Sequence, residues 1–233
     1  MSGTPRDAAG HPAPRLVVPG DFGAVVFDFD GLLVDSEPGW EWAERTLLGR
    51  HGHVQTAEDR AATLGRSAEV SAAIHARILG LPEAEGARLR DELLALGREA
   101  YLAGFELRPG AAALVGALRG RLPIAVASNT PRGLVDLALA RTPFADAFTA
   151  IATRDEVAEG KPAPDVYLLA CEKLGVEPAR AIAFEDSLPG VTAALAAGMT
   201  VAAVPAVRDE RFGIAHHLLD SLGDVAIAAP SEG

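Results

Sequence analysis

Residues 24–38 read AVVFDFDGLLVDSEP, an apolar run that stops on two aspartates, Asp28 and Asp30, followed by Gly31. A short apolar segment without polar alternation is what a strand covered on both faces requires. Ala24–Phe27 is therefore read as a strand, with the aspartates at its carboxyl end. In extended chain, residues two apart point the same way. Gly31 allows a tight turn there, so both carboxylates can face one pocket. Two carboxylates this close repel unless a proton or a cation lies between them. Magnesium, with its demand for oxygen ligands, is one answer; an ordinary charged turn is the other.

Outward from this stretch the pattern changes twice. Residues 38–105 hold helical patterns such as WEWAERTLL, EVSAAIHARILG and ARLRDELLALGREAYL, separated by Gly and Pro breaks and without a strand signal. From Arg108 helices alternate with strands. Ala111–Leu118, Pro131–Ala140, Pro164–Leu174 and Pro189–Ala197 are predicted helices. Ile124–Ala127, Phe148–Ala152, Ala181–Phe184 and Thr200–Val204 are predicted strands, and Val225–Ile227 adds a last short one. Such alternation means βαβ units and a parallel sheet. The expected fold class is α/β: a Rossmann-like parallel sheet core flanked by helices, with an inserted all-helical cap domain. The expected division is a disordered lead-in over 1–20, a core over 21–37 and 106–233, and the cap over 38–105.

In parallel sheets, ligands sit outside the carboxyl ends of the strands. Ser128 and Asn129 follow one predicted strand and Glu185 and Asp186 another, so three strands deliver polar groups to one edge. Asp186 can add a metal ligand, and Glu185 is a candidate for the inner or outer shell. Lys161 opens KPAPDVY and is one of only two lysines among 21 basic residues. A compact ammonium can hold a phosphate and a carboxylate together; a solvated loop lysine is the plainer alternative. Ser128 and Asn129 precede Pro131 and can bind a phosphate, cap a helix, or do both.

Composition excludes some classes. The net charge of −11 disfavours nucleic-acid binding, while leaving room for a small anionic substrate beside a metal. The single cysteine, Cys171, allows no intramolecular disulfide and is read as a packing residue. No apolar run approaches membrane-spanning length. The expectation is a cytoplasmic protein without membrane or nucleic-acid partners, a monomer or weak dimer. His51, His53, His216 and His217 have no third ligand at a metal-site spacing and are placed at the surface. Trp40 and Trp42 cannot share a helix face, so one packs in the cap and the other faces the cleft.

Four segments, DFDGLLVDSEP, ASNTPRGLV, KPAPDVY and FEDSLPGVTAALAAG, follow the order of the four motifs of the haloacid dehalogenase superfamily. From about Phe22 to Val204 the chain resembles members with a helical cap inserted after the first motif, a group that includes β-phosphoglucomutase and the sugar-phosphate phosphatases. The resemblance implies a magnesium-dependent phosphatase acting on a small phosphorylated metabolite. Asp28 would attack phosphorus to form an aspartyl-phosphate. Asp30 would act as general acid and then base. Ser128, Asn129 and Lys161 would bind the phosphoryl group. Asp28, the carbonyl of Asp30, and Asp186 would hold magnesium, with Glu185 assisting. Dehalogenases lack the second acid of the first motif, here Asp30. Phosphonoacetaldehyde hydrolases need a cap lysine, and this cap has none. Gly65-Arg66-Ser67 resembles a substrate-contacting stretch of the family's caps, and Ser67 would equally serve as a helix N-cap. A phosphomutase and a catalytically silent binding module remain as alternatives on the same fold.

Overall fold

The computed structural model describes residues 16–18 and 22–228. In chain order the elements are β1 (Leu16–Val18), β2 (Ala24–Phe27) and β3 (Val34–Asp35), then α1 (Glu37–Arg50), α2 (Ala57–Thr63), α3 (Ala68–Ile78) and α4 (Gly86–Ala103). β4 (Glu106–Leu107), α5 (Ala111–Leu118), β5 (Ile124–Ser128), α6 (Arg132–Leu139) and β6 (Ala150–Thr153) follow. The chain continues through α7 (Asp165–Leu174), β7 (Ala181–Glu185), α8 (Leu188–Ala196), β8 (Thr200–Ala203), β9 (His217–Leu218) and β10 (Val225–Ile227).

Six strands form one sheet in the order β6-β5-β2-β7-β8-β9, and every pairing in it is parallel. The strand that opened the reading, β2, lies in the interior of the sheet and pairs with β5 and β7. That places the ends of all three side by side. Over β2, β5 and β7 the two faces of the sheet differ in side-chain size, Val26 being the exception. Val25, Phe27, Ile124, Val126, Ile182 and Phe184 face one way and pack under α5 and α6. Ala24, Ala125, Ala127, Ala181 and Ala183 face the other and pack under α7 and α8. Small side chains on a strand face let the covering helix approach closely, since the separation of packed layers is set by the side chains between them.

Helices α1, α3 and α4 close around their own apolar cluster, built on Leu47, Leu48, Ala72, Leu89, Leu93 and Leu96. At the neck of this insertion β3 and β4 pair antiparallel, Val34 with Leu107 and Asp35 with Glu106. Two-residue strands have no periodicity to read, so this pair carries no signal in the sequence. The same holds for β9, which extends the sheet unexpectedly, and for the seven-residue α2.

The expected disordered lead-in over 1–20 lies outside the described residues except at Leu16–Val18, where it is corrected. This apolar triplet pairs in parallel with Val225–Ile227, and Leu16 and Val18 are buried. The strand expected at Phe148–Ala152 begins only at Ala150, because the Phe148 ring packs edge-on against Phe27 and Phe144.

Candidate active site

Asp28 stands just past β2, its amide donating to the Phe184 carbonyl of β7 at 3.0 Å. Its side chain is buried. Lys161 reaches it across 133 residues of sequence, its Nζ donating to Asp28 Oδ1 at 2.5 Å. The same ammonium donates to Glu185 Oε1 at 2.5 Å. Tyr167 of α7 donates its hydroxyl to that oxygen at 2.7 Å, and the amide and hydroxyl of Ser187 both donate to Glu185 Oε2 at 3.0 Å. Both oxygens of Glu185 are therefore engaged by protein donors. A side chain at Gly190 would strike this carboxylate, its Cβ falling 1.7 Å from Oε1, so the first turn of α8 needs a glycine there.

Asp186 is the exception in this group. It, Asp28 and Glu185 present oxygens within 4.8 Å of one another, yet Asp186 Oδ1 is buried with no hydrogen-bond partner among the described residues. Gly31, at φ +83°, makes room: a Cβ there would lie 2.2 Å from Asp186 Oδ2. Burial, reinforced by Asp28 and Glu185, pushes the Asp186 carboxyl well up. Burial also pushes Asp28 up to about 8, against the pull of Lys161 and with the push of Glu185. Burial alone would pull the Lys161 ammonium down, but Asp28 and Glu185 outweigh it and hold it above its ordinary value. Three carboxylates thus face one ammonium. An all-oxygen donor set, an excess of negative charge and an orphaned buried oxygen fit a hard divalent cation such as magnesium.

Asp30 sits two residues on and gathers hydroxyls. Ser36 donates to its Oδ1 at 2.6 Å, Thr130 to its Oδ2 at 2.7 Å, and the phenol of Tyr101 to its Oδ1. Ser36 precedes α1 but makes no capping bond to it; its hydroxyl is given to Asp30 instead. Ser128, at the end of β5, is buried and accepts from the Thr130 amide at 3.0 Å. The Asn129 side chain is turned to the backbone of Lys161, accepting from its amide at 2.8 Å and donating to its carbonyl at 3.3 Å. It buckles the lysine loop to the end of β5.

Above these residues lies a cavity of about 690 Å³, with Asp28, Asp30, Ser128, Lys161 and Asp186 on the floor. The roof carries Glu37, Arg60 and Arg66 from the helical insertion. Arg60 is paired with Glu37 and, at 3.2 Å, with Glu44; burial pushes both glutamates up while Arg60 opposes it. The Arg66 amide donates to the Thr63 carbonyl at 3.0 Å, while its side chain is exposed and has no hydrogen bond or ion pair among the described residues. Ser67 is the buried N-cap of α3, accepting from the Val70 amide at 3.4 Å.

The sequence reading missed Ser36, Thr130, Tyr101, Tyr167 and the Glu37–Arg60–Glu44 group. Ser36, Glu37, Thr130 and Tyr167 lie within motifs already quoted. Tyr101 lies 71 residues from Asp30 in a helix with no local mark of function. Trp40 both packs on Tyr101 and lines the cavity, whereas Trp42, expected to share those roles with it, is on the exposed side of α1. His53 pairs with Asp59 at 2.8 Å, and His216 accepts from the Val201 amide at 3.1 Å. Cys171 is buried among the residues under the alanine face.

A family model described as haloacid dehalogenase-like hydrolase matches residues 22–198. The chain belongs to this family of hydrolases. It is 34% identical to the protein CbbY of Rhodobacter capsulatus over 90% of this chain and 97% of that one. It is 31% identical to a phosphorylated carbohydrates phosphatase of Thermotoga maritima, over 90% of this chain and 95% of that one. A crystal structure of a CbbY mutant from Rhodobacter sphaeroides in complex with xylulose-(1,5)bisphosphate superposes with a TM-score of 0.73 at 32% identity, covering 88% of this chain and 97% of that one.

Proposed function

We propose that this haloacid dehalogenase-like hydrolase is a cytoplasmic, magnesium-dependent phosphatase that hydrolyses a small phosphomonoester, a sugar phosphate, through an aspartyl-phosphate on Asp28. The observation that carries the reading is the Lys161 ammonium bridging Asp28 and Glu185 beside the unpartnered Asp186 oxygen, on the floor of a cavity. The names and bound ligand of the relatives support the sugar phosphate: one is a phosphatase of phosphorylated carbohydrates and another holds a sugar bisphosphate.

In this reading Asp28 attacks phosphorus, held in place by Lys161. Lys161 and the Ser128 hydroxyl take the phosphoryl oxygens, and Asn129 fixes the lysine loop at the right height. Asp30 donates a proton to the leaving oxygen and then takes one from the water that cleaves the acyl phosphate. Asp28, Asp186 and the Asp30 carbonyl would hold magnesium, with Glu185 acting through Lys161. Bound there, the ion supplies the positive charge that lets anionic nucleophile and phosphoryl group meet. Residues 38–105 form the cap that closes over substrate and keeps bulk water out. Arg66 and the Ser67 turn read the far end of the sugar.

The test is phosphate release over a panel of sugar phosphates, nucleotides and phosphoglycolate, with magnesium and after its chelation, by wild type and Asp28→Asn. Magnesium-dependent release by wild type and a loss on the order of 10³-fold in the variant are expected. Equal rates from the two proteins would discard Asp28 as nucleophile. Isomer formation without phosphate release would make the protein a mutase, and binding without turnover a silent module.

A further inference from the structure

Asp30 needs more than proximity to serve both halves of the reaction: its carboxylate plane must be fixed. Tyr101 is placed to do this from outside the motif. It belongs to α4 of the helical insertion, yet its side chain is buried in the main core cluster with Phe29 and Phe27. Its ring is held edge-on by Trp40 and by Phe105, with centroids 6.0 Å away in each case. The hydrogen-bond direction is settled by valence. The indole Nε1–H of Trp40 can only donate, and it lies 3.3 Å from the Tyr101 oxygen. The phenol accepts there, so its single proton is left for Asp30. Ser36 donates to the same Asp30 oxygen and Thr130 to the other. Three donors from three separate parts of the chain thereby leave the carboxylate one orientation.

We infer that Tyr101 is a positioning residue for Asp30, locking its carboxylate in the working orientation and tying that orientation to the seating of α4 on the core. The inference rests on the reading of Asp30 as acid and base. The seat itself is visible one residue on, where Arg141 of the core donates to the Leu102 carbonyl at 3.3 Å.

Tyr101→Phe keeps the ring and removes the donor. The readout is the leaving group. p-Nitrophenolate departs without protonation, so first-turnover release from p-nitrophenyl phosphate, measured with enzyme in excess, stays within about twofold of wild type. Steady-state turnover of that substrate falls about tenfold, because water activation still needs Asp30, and first-turnover cleavage of an alkyl phosphate such as glycerol phosphate falls about tenfold as well. KM stays within about twofold. Asp30→Asn gives the same pattern more strongly, and adding Tyr101→Phe to it costs no more than about a further twofold. Equal losses in the first turnover of both substrates would mark Tyr101 as merely structural and overturn the inference. So would full additivity in the double variant. If Asp30→Asn itself fails to separate the two leaving groups, the acid–base reading falls and this inference with it. If only Tyr101→Phe fails to do so, the reading stands and the inference alone falls. Trp40→Phe, which removes the donor to the phenol but leaves Tyr101 in place, provides a second route. A smaller loss of the same pattern supports the relay, and a substrate-independent loss counts against it.

Discussion

The floor and the roof of the cavity are built on opposite principles. On the floor, Lys161 and Asp28 are buried and locked at hydrogen-bond distance, and the same lysine is locked to Glu185 at the end of β7 beneath them. On the roof, the Arg66 side chain is exposed and unpartnered among the described residues, on a turn between short helices. A reaction that must place charge to within a fraction of an ångström calls for the first arrangement. Choice among substrates calls for the second, because a free side chain can be redirected without disturbing the machinery below. Altering the roof should therefore change what is bound, whereas altering the floor should change whether anything reacts.

The sharpest break should come from Lys161→Met. It leaves buried Asp28 and Glu185 facing each other without their shared cation. Turnover of the best substrate should fall by about 10²–10³-fold. Folding stability should fall by about 3 kcal/mol, the usual cost of stranding a buried charge, measured by denaturant unfolding. A variant with unaltered stability would show that the floor is less tightly locked than its distances imply.

A second effect belongs to the roof. His75 of α3 is fully buried, with neither ring nitrogen hydrogen-bonded among the described residues. Burial lowers its pKa from 6.5 to about 4, only partly offset by nearby Asp59 and reinforced by Arg60 and His53. The folded chain therefore refuses a proton that the unfolded chain accepts between those values. The stability associated with the neutral ring is complete above pH 6.5 and is lost as pH falls toward 4, by about 3 kcal/mol in all. His75→Leu should flatten that portion of the stability–pH curve. An unchanged curve would place the acid sensitivity elsewhere.

Arg66→Ala should raise KM about tenfold, with kcat within about threefold. Stability should stay within about 0.5 kcal/mol, as for other exposed positions. A collapse of kcat with KM unchanged would move Arg66 from recognition into the chemistry.

Much of the floor was legible because its residues sit where strands end, and a strand end is marked by an abrupt change from apolar to polar. Asp28, Ser128 and Glu185 all carry that mark. The partners that refine the floor were not legible. Tyr101 looks like an ordinary helix residue, and Tyr167, though it closes the KPAPDVY segment, shows no role there until the fold brings the two hydroxyls to carboxylates 71 and 18 residues away. Asn129 could be seen as a polar group at the right edge, but not that both ends of its amide are taken up by the lysine loop. Short elements escaped for a different reason. β3, β4 and β9 are two residues each, and no alternation can be counted over two positions. They exist because neighbouring chain segments happen to be tethered side by side.

The alanine-lined face of the sheet carries a consequence for variation at a distance. Because Ala125, Ala127 and Ala152 are so small, they leave room for α7 to pack close to β5 and β6, and it is this helix that delivers the Tyr167 hydroxyl to Glu185. The thickness of that layer therefore serves as a mechanical setting for the Lys161 anchor. Adding one methyl group well below the cavity would lift the helix, and the disturbance would surface as a defect in chemistry at a position that touches no reacting atom.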